Sequence, residues 1–424
     1  MSVRLRYNNL QIVEEDARMF KIIALSLLGV AFLWNLFLSI LSYRARNNEI
    51  PEELSDVYDH ESYAKWKKYS AENIVLDLVR HIVSFVISFT LIITNVYALI
   101  AGGIENPYVS AIVVLAVYIG IDMVVGFIFD YISTMKIEEK YGFNKSSLKT
   151  LIADKIKSLI LSVILIFGLT CLFIVLHINM GDYILILFSG ILFIVVLFIM
   201  FLSPLFSKIF NKFESLPEGE LRSKLTAMLE KYGYQVRDIK VMDASRRTTK
   251  SNAYFTGFGK SKTIVLYDNL LKVMSDEEII AIFAHEMGHG LHKDTLKNSF
   301  LSLLNIVIIV VLAWLLARFP QIYVDFGFAG LNYGFGLILL FECVMPVISV
   351  LLGFITSAHS RRAEYRADEQ AFNEGYADQL ITALKKITKE NFGNLNPHPL
   401  VVLLHYSHPT LLQRYRHIQE LKAK

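Results

Sequence analysis

The amino-acid sequence predicts a mainly α-helical, polytopic membrane protein with seven transmembrane helices and a cytoplasmic portion that contains a small β-hairpin. Three observations carry this reading. Hydrophobic residues fill 54% of the 424 positions, and the mean hydropathy of +0.45 is far above that of a soluble chain of two or three domains. Seven segments, roughly 20–42, 82–103, 109–131, 156–177, 183–206, 299–317 and 335–356, are long and apolar enough to span a bilayer. Between the fifth and sixth lies a polar stretch containing His285-Glu286-Met287-Gly288-His289.

The first segment lacks the short apolar core and small-residue cleavage site of a signal peptide, so it reads as a helix. Basic residues orient the spans. Arg44, Arg46, Lys65, Lys67, Lys68 and Arg80 follow the first span and Lys136, Lys140, Lys145 and Lys149 the third, whereas the loops near 104–108, 178–182 and 319–334 carry none. The basic loops are expected in the cytoplasm, together with residues 207–298 and the C-terminal tail, leaving the N-terminus outside. Arg4, Arg6, Arg18 and Lys21 run against that assignment. Asn35, Asn95, Asp122, Asn305 and Glu342 fall at membrane depth, where polar groups face a water-filled cavity, a bundle interior or a hydrogen-bonding partner on another helix. Cys171 and Cys343 lie inside spans and read as small buried hydrophobes, not as a disulfide or metal pair. The net charge of +3 is spread over the loops without the basic run that nucleic-acid binding uses.

In the polar stretch, β-type runs at 238–243 and 254–267 flank Gly257-Phe258-Gly259-Lys260, which reads as a hairpin turn. Without the full spacing and a following helix it is not a phosphate loop. An exposed edge here would accept an extended peptide by strand addition. Ser275-Asp276-Glu277-Glu278 is a capping box, and the apolar Ile279, Ile280, Ile282 and Phe283 continue from it as a helix that carries the pentapeptide.

Residues four apart on a helix lie about 40° apart around its axis, so the imidazoles of His285 and His289 can reach one zinc ion. Glu286 then faces the open side of the ion, where a carboxylate can take a proton from water whose pKa the metal lowers to about 7. A catalytic zinc needs a third protein ligand. His292 shares a face with His285 but lies about 10 Å along the axis, too far for bonds of about 2 Å. The better candidate is Glu364, on a second helical stretch just after the last span. Asp368, one turn on, would accept the other N–H of a ligating histidine. An ordinary charged helix face has the same spacing.

With these residues in view, the chain resembles the integral-membrane CAAX prenyl protease family, the type I zinc enzymes. The resemblance runs through Ser360-Arg361-Arg362-Ala363-Glu364 and Asp368 and through Pro51-Glu52-Glu53-Leu54, Glu138-Glu139-Lys140-Tyr141-Gly142-Phe143-Asn144, Ser203-Pro204-Leu205-Phe206 and Leu216-Pro217-Glu218-Gly219-Glu220-Leu221, nearly the whole chain. It implies a hollow helical barrel around a chamber, one Zn2+ per chain, and Glu364 as third ligand. It further implies that Asn252, Ala253 and Tyr254 hold substrate and that His408, in Ser407-His408-Pro409, stabilises the developing oxyanion. On their residues alone, Asn252 reads as a turn asparagine and His408 as a loop histidine before proline. The implied substrate is a peptide or prenylated protein C-terminus ending in Cys-aliphatic-aliphatic-X.

The expected organisation is membrane helices one to five in 1–206, a cytoplasmic protease segment in 207–298, helices six and seven in 299–356, and a C-terminal segment in 357–424, all one catalytic unit. The membrane is that of the endoplasmic reticulum in a eukaryote or the cell membrane in a prokaryote. Two alternatives stand beside this reading: a quality-control zinc protease of broad specificity, and a non-catalytic seven-span transporter or receptor. The sequence assigns no oligomeric state.

Overall fold

Long helices form wherever the apolar sequence runs without a cap or breaker. In the computed structural model, which describes residues 19–256 and 261–424, the first half of the chain folds into α1 (Met19–Ala45), α2 (His60–Ile93), α3 (Val96–Ala101), α4 (Pro107–Ile132), α5 (Leu148–Met180) and α6 (Ile184–Phe210). Arg4, Arg6, Arg18 and the expected turn at 257–260 lie outside the described residues. Polar side chains start the helices: Asp59 accepts from the Ser62 N–H ahead of α2, Asn106 caps α4 before Pro107, and Ser147 caps α5.

Six helical stretches among the described residues have the length and hydropathy to cross a bilayer: Met19–Ala45, His60–Ile93, Pro107–Glu138, Leu148–Met200, Asp294–Arg318 and Tyr333–Asn373. The chain is an integral, multi-pass membrane protein. The stretch Leu148–Met200 is divided, because Gly181 at φ +53° and the 3-10 turn Gly181–Tyr183 separate α5 from α6. The expected span at 82–103 needs correction. Its helix begins at His60 and stops at Ile93, and Asn95 takes a left-handed conformation before α3. The apolar run continues through this break, so hydropathy does not register it; Lys21 Nζ donates to Asn95 Oδ1 there at 2.6 Å. Glu342 finds hydrogen-bonding partners on other helices: it accepts from Tyr118 at 2.5 Å and Ser88 at 2.9 Å and so ties α4 and α2 to the π turn Leu339–Val344. Cys171 and Cys343 are free thiols.

The second half contains β1 (Phe213–Ser215), α7 (Glu220–Lys231), β2 (Gln235–Met242), β3 (Ala253–Thr256), β4 (Ser261–Tyr267), α8 (Asp268–Val273), α9 (Asp276–Leu291), α10 (Asp294–Arg318), α11 (Gln321–Val324), α12 (Tyr333–Ile338), α13 (Met345–Asn373), α14 (Ala377–Glu390), α15 (Pro399–His405) and α16 (Leu411–Ala423). The expected hairpin is present as β3–β4, but it belongs to a four-stranded mixed sheet of order β1-β2-β4-β3, with β2 and β4 parallel and the other pairs antiparallel. A parallel partner lies far away in sequence and the three-residue β1 shows no alternation, so neither left a local signal. β3 is an edge strand.

One core binds this half together. Leu225 and Leu229 of α7, Ile239, Ile264 and Leu266 of the sheet and Ile279, Ile280, Phe283 and Met287 of α9 pack with Ala371, Leu380 and Ile418. Segments on either side of two membrane helices thus share one apolar interior.

Candidate metal centre

The expected capping box forms: Ser275 Oγ accepts from the Glu278 N–H at 3.3 Å, and Glu278 Oε2 accepts from the Ser275 N–H at 2.8 Å. It fixes the start of α9, whose apolar face then sets the rotation of the pentapeptide. Small residues bring α9 against α13. A Cβ added to Gly288 would lie 2.8 Å from Ala367 Cα, and Ala363, Ala367 and Ala371 repeat one small side chain per turn on α13.

This close approach gathers one ligand atom each from His285, His289 and Glu364 within 4.8 Å of one another. His285 Nε2 is 3.4 Å from Glu364 Oε2, and His289 Nε2 is 3.3 Å from Glu364 Oε1. Glu364 Oε2 is buried with no hydrogen bond; the Arg414 guanidinium reaches it only at 3.5 Å, so a closer cation would satisfy it better. Two imidazole nitrogens and a carboxylate make a donor set suited to a divalent metal ion with one position left open. His292 caps α9 on the exposed surface, apart from this group.

A second ring of side chains orients the first. His285 Nδ1 is 2.9 Å from Asp368 Oδ1 and His289 Nδ1 is 3.1 Å from Asp294 Oδ2. Each carboxylate can therefore hold the Nδ1–H tautomer, which turns the Nε2 lone pair toward the centre. Arg366 Nη2 donates to Asp294 at 2.8 Å. The buried Arg414 donates to Asp368 through Nε at 3.0 Å and Nη2 at 2.5 Å, and its Nη1 is 3.5 Å from Glu364 Oε2.

Electrostatics follow from this packing. Burial and the Arg414 guanidinium push the His285 imidazole down, but the Asp368 and Glu364 carboxylates beside it outweigh them and raise it to about 9. Burial also lowers His289, and the Glu364 and Asp294 carboxylates reverse the effect, so it too is raised. Without a metal the centre therefore holds protons where an ion would sit.

Glu286, half-buried, follows His285 on α9. His408 stands beside the cluster, its Nε2 3.3 Å from Glu364 Oε1 and its Nδ1 2.9 Å from Ser407 Oγ, with a side chain 66% exposed and so open to an incoming molecule. Asn252 is exposed; its Oδ1 accepts from the Ala253 N–H at 2.9 Å, and its carbonyl accepts from the Tyr267 N–H at 3.1 Å. Ala253 and Tyr254 begin β3, paired with Leu266 and Val265, and β3 packs on α9.

Asp294 and Arg414 escaped the sequence reading. Asp294 lies five residues after His289, off that face in a continuous helix, but Lys293 at φ +55° breaks the chain and α10 starts anew. Arg414 has no local pattern at all, since its partners stand tens of residues away.

Residues 39–212 match the family model described as "CAAX prenyl protease N-terminal, five membrane helices", and residues 215–422 match "Peptidase family M48". The chain is 31% identical over 411 residues to a CAAX prenyl protease 1 homolog of Oryza sativa, covering 93% of this chain and 96% of that one. It is 33% identical over 310 residues to CAAX prenyl protease 1 of Saccharomyces cerevisiae, covering 69% of this chain and 68% of the relative. The crystal structure of S. mikatae Ste24p matches with a TM-score of 0.87 at 28% identity, covering 94% of this chain and 99% of that one.

Proposed function

We propose, on the premise that this chain belongs to the family of CAAX prenyl proteases and is a membrane metalloendopeptidase, that it cuts prenylated peptides ending in Cys-aliphatic-aliphatic-X after the modified cysteine. One Zn2+ per chain, held by His285, His289 and Glu364, serves the reaction. The observation that carries this reading is the buried Glu364 carboxylate facing the Nε2 atoms of two imidazoles whose outer nitrogens are taken by Asp368 and Asp294.

When bound, the ion supplies Lewis acidity toward the scissile carbonyl and toward water. Glu286 accepts a proton from the attacking water and passes it to the leaving amine nitrogen. His408 Nε2 donates a hydrogen bond to the carbonyl oxygen as negative charge gathers there, a contribution of about 10²–10³ in rate. Asn252, Ala253 and Tyr254 form the docking edge: an extended substrate adds a strand beside β3, and main-chain hydrogen bonds set its register before attack. The Asn252 amide sits at the start of that edge.

The break at Gly181–Tyr183 supports counting Leu148–Met200 as two spans, for seven in all. They enclose a hollow barrel with the metal centre facing inward, and the basic loops put the centre on the cytoplasmic side. In a eukaryotic cell the membrane is that of the endoplasmic reticulum. Residues 207–298 and 357–424 act together as the protease portion. A non-catalytic transporter or receptor and a broad quality-control protease are less favoured, because the relatives that cover nearly the whole chain bear the name of prenyl proteases.

The test is cleavage of matched farnesylated and unmodified peptides by protein purified in detergent, with products identified by mass. Selective cleavage after the farnesylated cysteine is the expected result. Equal cleavage of both peptides would replace the prenyl-specific reading with the broad protease.

A further inference from the structure

The motif Glu138-Glu139-Lys140-Tyr141-Gly142-Phe143-Asn144 takes no part in the metal centre, yet the fold brings it against the segment that leads into β3. Helix α4 does not continue regularly into this motif, because Ser133–Glu138 is a π turn. Such i→i+5 turns insert a residue and rotate the chain beyond them. The Glu138 carboxylate is thereby aimed at two partners: Tyr69 donates to its Oε1 at 2.5 Å, and Lys250 Nζ lies 3.1 Å from the same oxygen and 3.1 Å from the Tyr69 hydroxyl. Aromatic rings wall the ammonium group, with Nζ 5.0 Å from the Phe143 ring centre and 5.6 Å from that of Tyr69, positions that favour a cation.

The neighbouring main chain is fastened as well. Asn391 grips Ser251 on both sides, accepting from its N–H and donating to its carbonyl, each at 3.1 Å. Asn269 Nδ2 donates to the Thr248 carbonyl at 2.7 Å and the Lys250 carbonyl at 3.3 Å, and the Thr249 N–H donates to the Phe143 carbonyl at 3.1 Å. Thr248 through Ser251 are thus each tied to a distant part of the chain. Asn252, the next residue, is exposed.

We infer that Glu138, Tyr69, Lys250 and Asn391 form a clamp that sets the height of edge strand β3 above the metal centre, and so act as positioning residues for the substrate. The inference rests on β3 being the edge where peptide docks. Because the clamp reaches from α2 and the π turn after α4 to the segment that leads into β3, it would keep the docking edge in register with the barrel, while the metal ligands themselves stand on α9 and α13.

The experiment measures binding of a fluorescent farnesylated peptide to the full-length, zinc-loaded Glu286→Gln protein in detergent, with Asn391→Ala, Lys250→Met or Glu138→Gln added. Each addition should weaken the peptide Kd about tenfold while zinc stays at one per chain. With Glu286 intact, the same variants should raise KM with little change in kcat. Lys250→Arg, which keeps a cation against Glu138 and the two rings, should retain most of the binding that Lys250→Met loses. Variants that bind peptide as the parent does would overturn the clamp alone, and so would variants that lose zinc in proportion to peptide, since that marks general unfolding. A parent that binds no peptide while holding its zinc would overturn the docking edge and the clamp with it.

Discussion

Gly288→Ala adds one methyl group at the point where α9 and α13 touch. Its Cβ would sit 2.8 Å from Ala367 Cα, 3.0 Å from Gln370 Cβ and 3.3 Å from Ala367 Cβ, whereas ordinary contact begins at 3.4 Å. The neighbouring backbone must therefore move apart by at least 3.4 − 2.8 = 0.6 Å. Glu364 lies one turn from Ala367 on α13 and His289 adjoins Gly288 on α9, so the ligand set opens by a similar amount. Metal–ligand distances tolerate only about 0.2 Å. The net stability cost is only about 0–2 kcal/mol: overpacking costs about 1–3 kcal/mol, and alanine gains about 1 kcal/mol over glycine in a helix interior. The variant should fold, yet bind zinc about 10–100-fold more weakly, as when a ligand loses its orienting partner. At saturating zinc it should still lose about 100-fold in kcat/KM. Competition against a fluorescent chelator, with peptide hydrolysis measured in parallel, reads both effects. A variant that binds zinc and hydrolyses peptide within twofold of the parent would refute the claim that this helix contact sets the site.

Four further outcomes follow from the same geometry. Asp368→Asn and Asp294→Asn should each weaken zinc binding by about 10–100-fold, read by the same competition, because each carboxylate fixes the tautomer of one ligand histidine. His408→Phe should keep its zinc and lose about 10²–10³ in kcat, read by metal analysis and steady-state hydrolysis. In metal-free protein His285 is raised from 6.5 to about 9 and His289 is raised as well, so zinc must displace protons, and its apparent affinity should climb by at least about tenfold per pH unit above pH 7 and level off above pH 9. That raised pKa also stabilises the metal-free fold, fully below pH 6.5 and progressively less as pH rises through about 9, which thermal melts in chelator would register.

What the sequence made legible was local or strongly periodic. The pentapeptide with its capping box, and the Glu364/Asp368 pair, are each set by spacing within a single helix, whereas their meeting depends on the packing of α9 against α13. The long apolar helices were legible for the same reason. Features that depend on distant partners were not. The parallel pairing of β2 with β4, the left-handed break at Asn95, and the approach of Arg414 and Asp294 to the His285, His289 and Glu364 group arise from tertiary packing that leaves no periodic trace. Glu138-Glu139-Lys140-Tyr141-Gly142-Phe143-Asn144 stood out as a motif, but its connection to Lys250 is visible only once the π turn at Ser133–Glu138 is in place.

The most direct measurement is zinc content and single-turnover hydrolysis of a farnesylated peptide by Glu286→Gln beside the parent protein. The account predicts one zinc per chain in both, with hydrolysis lowered by about 10²–10⁴ in the variant, the range for removal of a general base. Hydrolysis that survives in Glu286→Gln, or a parent that cleaves the peptide without bound metal, would contradict it.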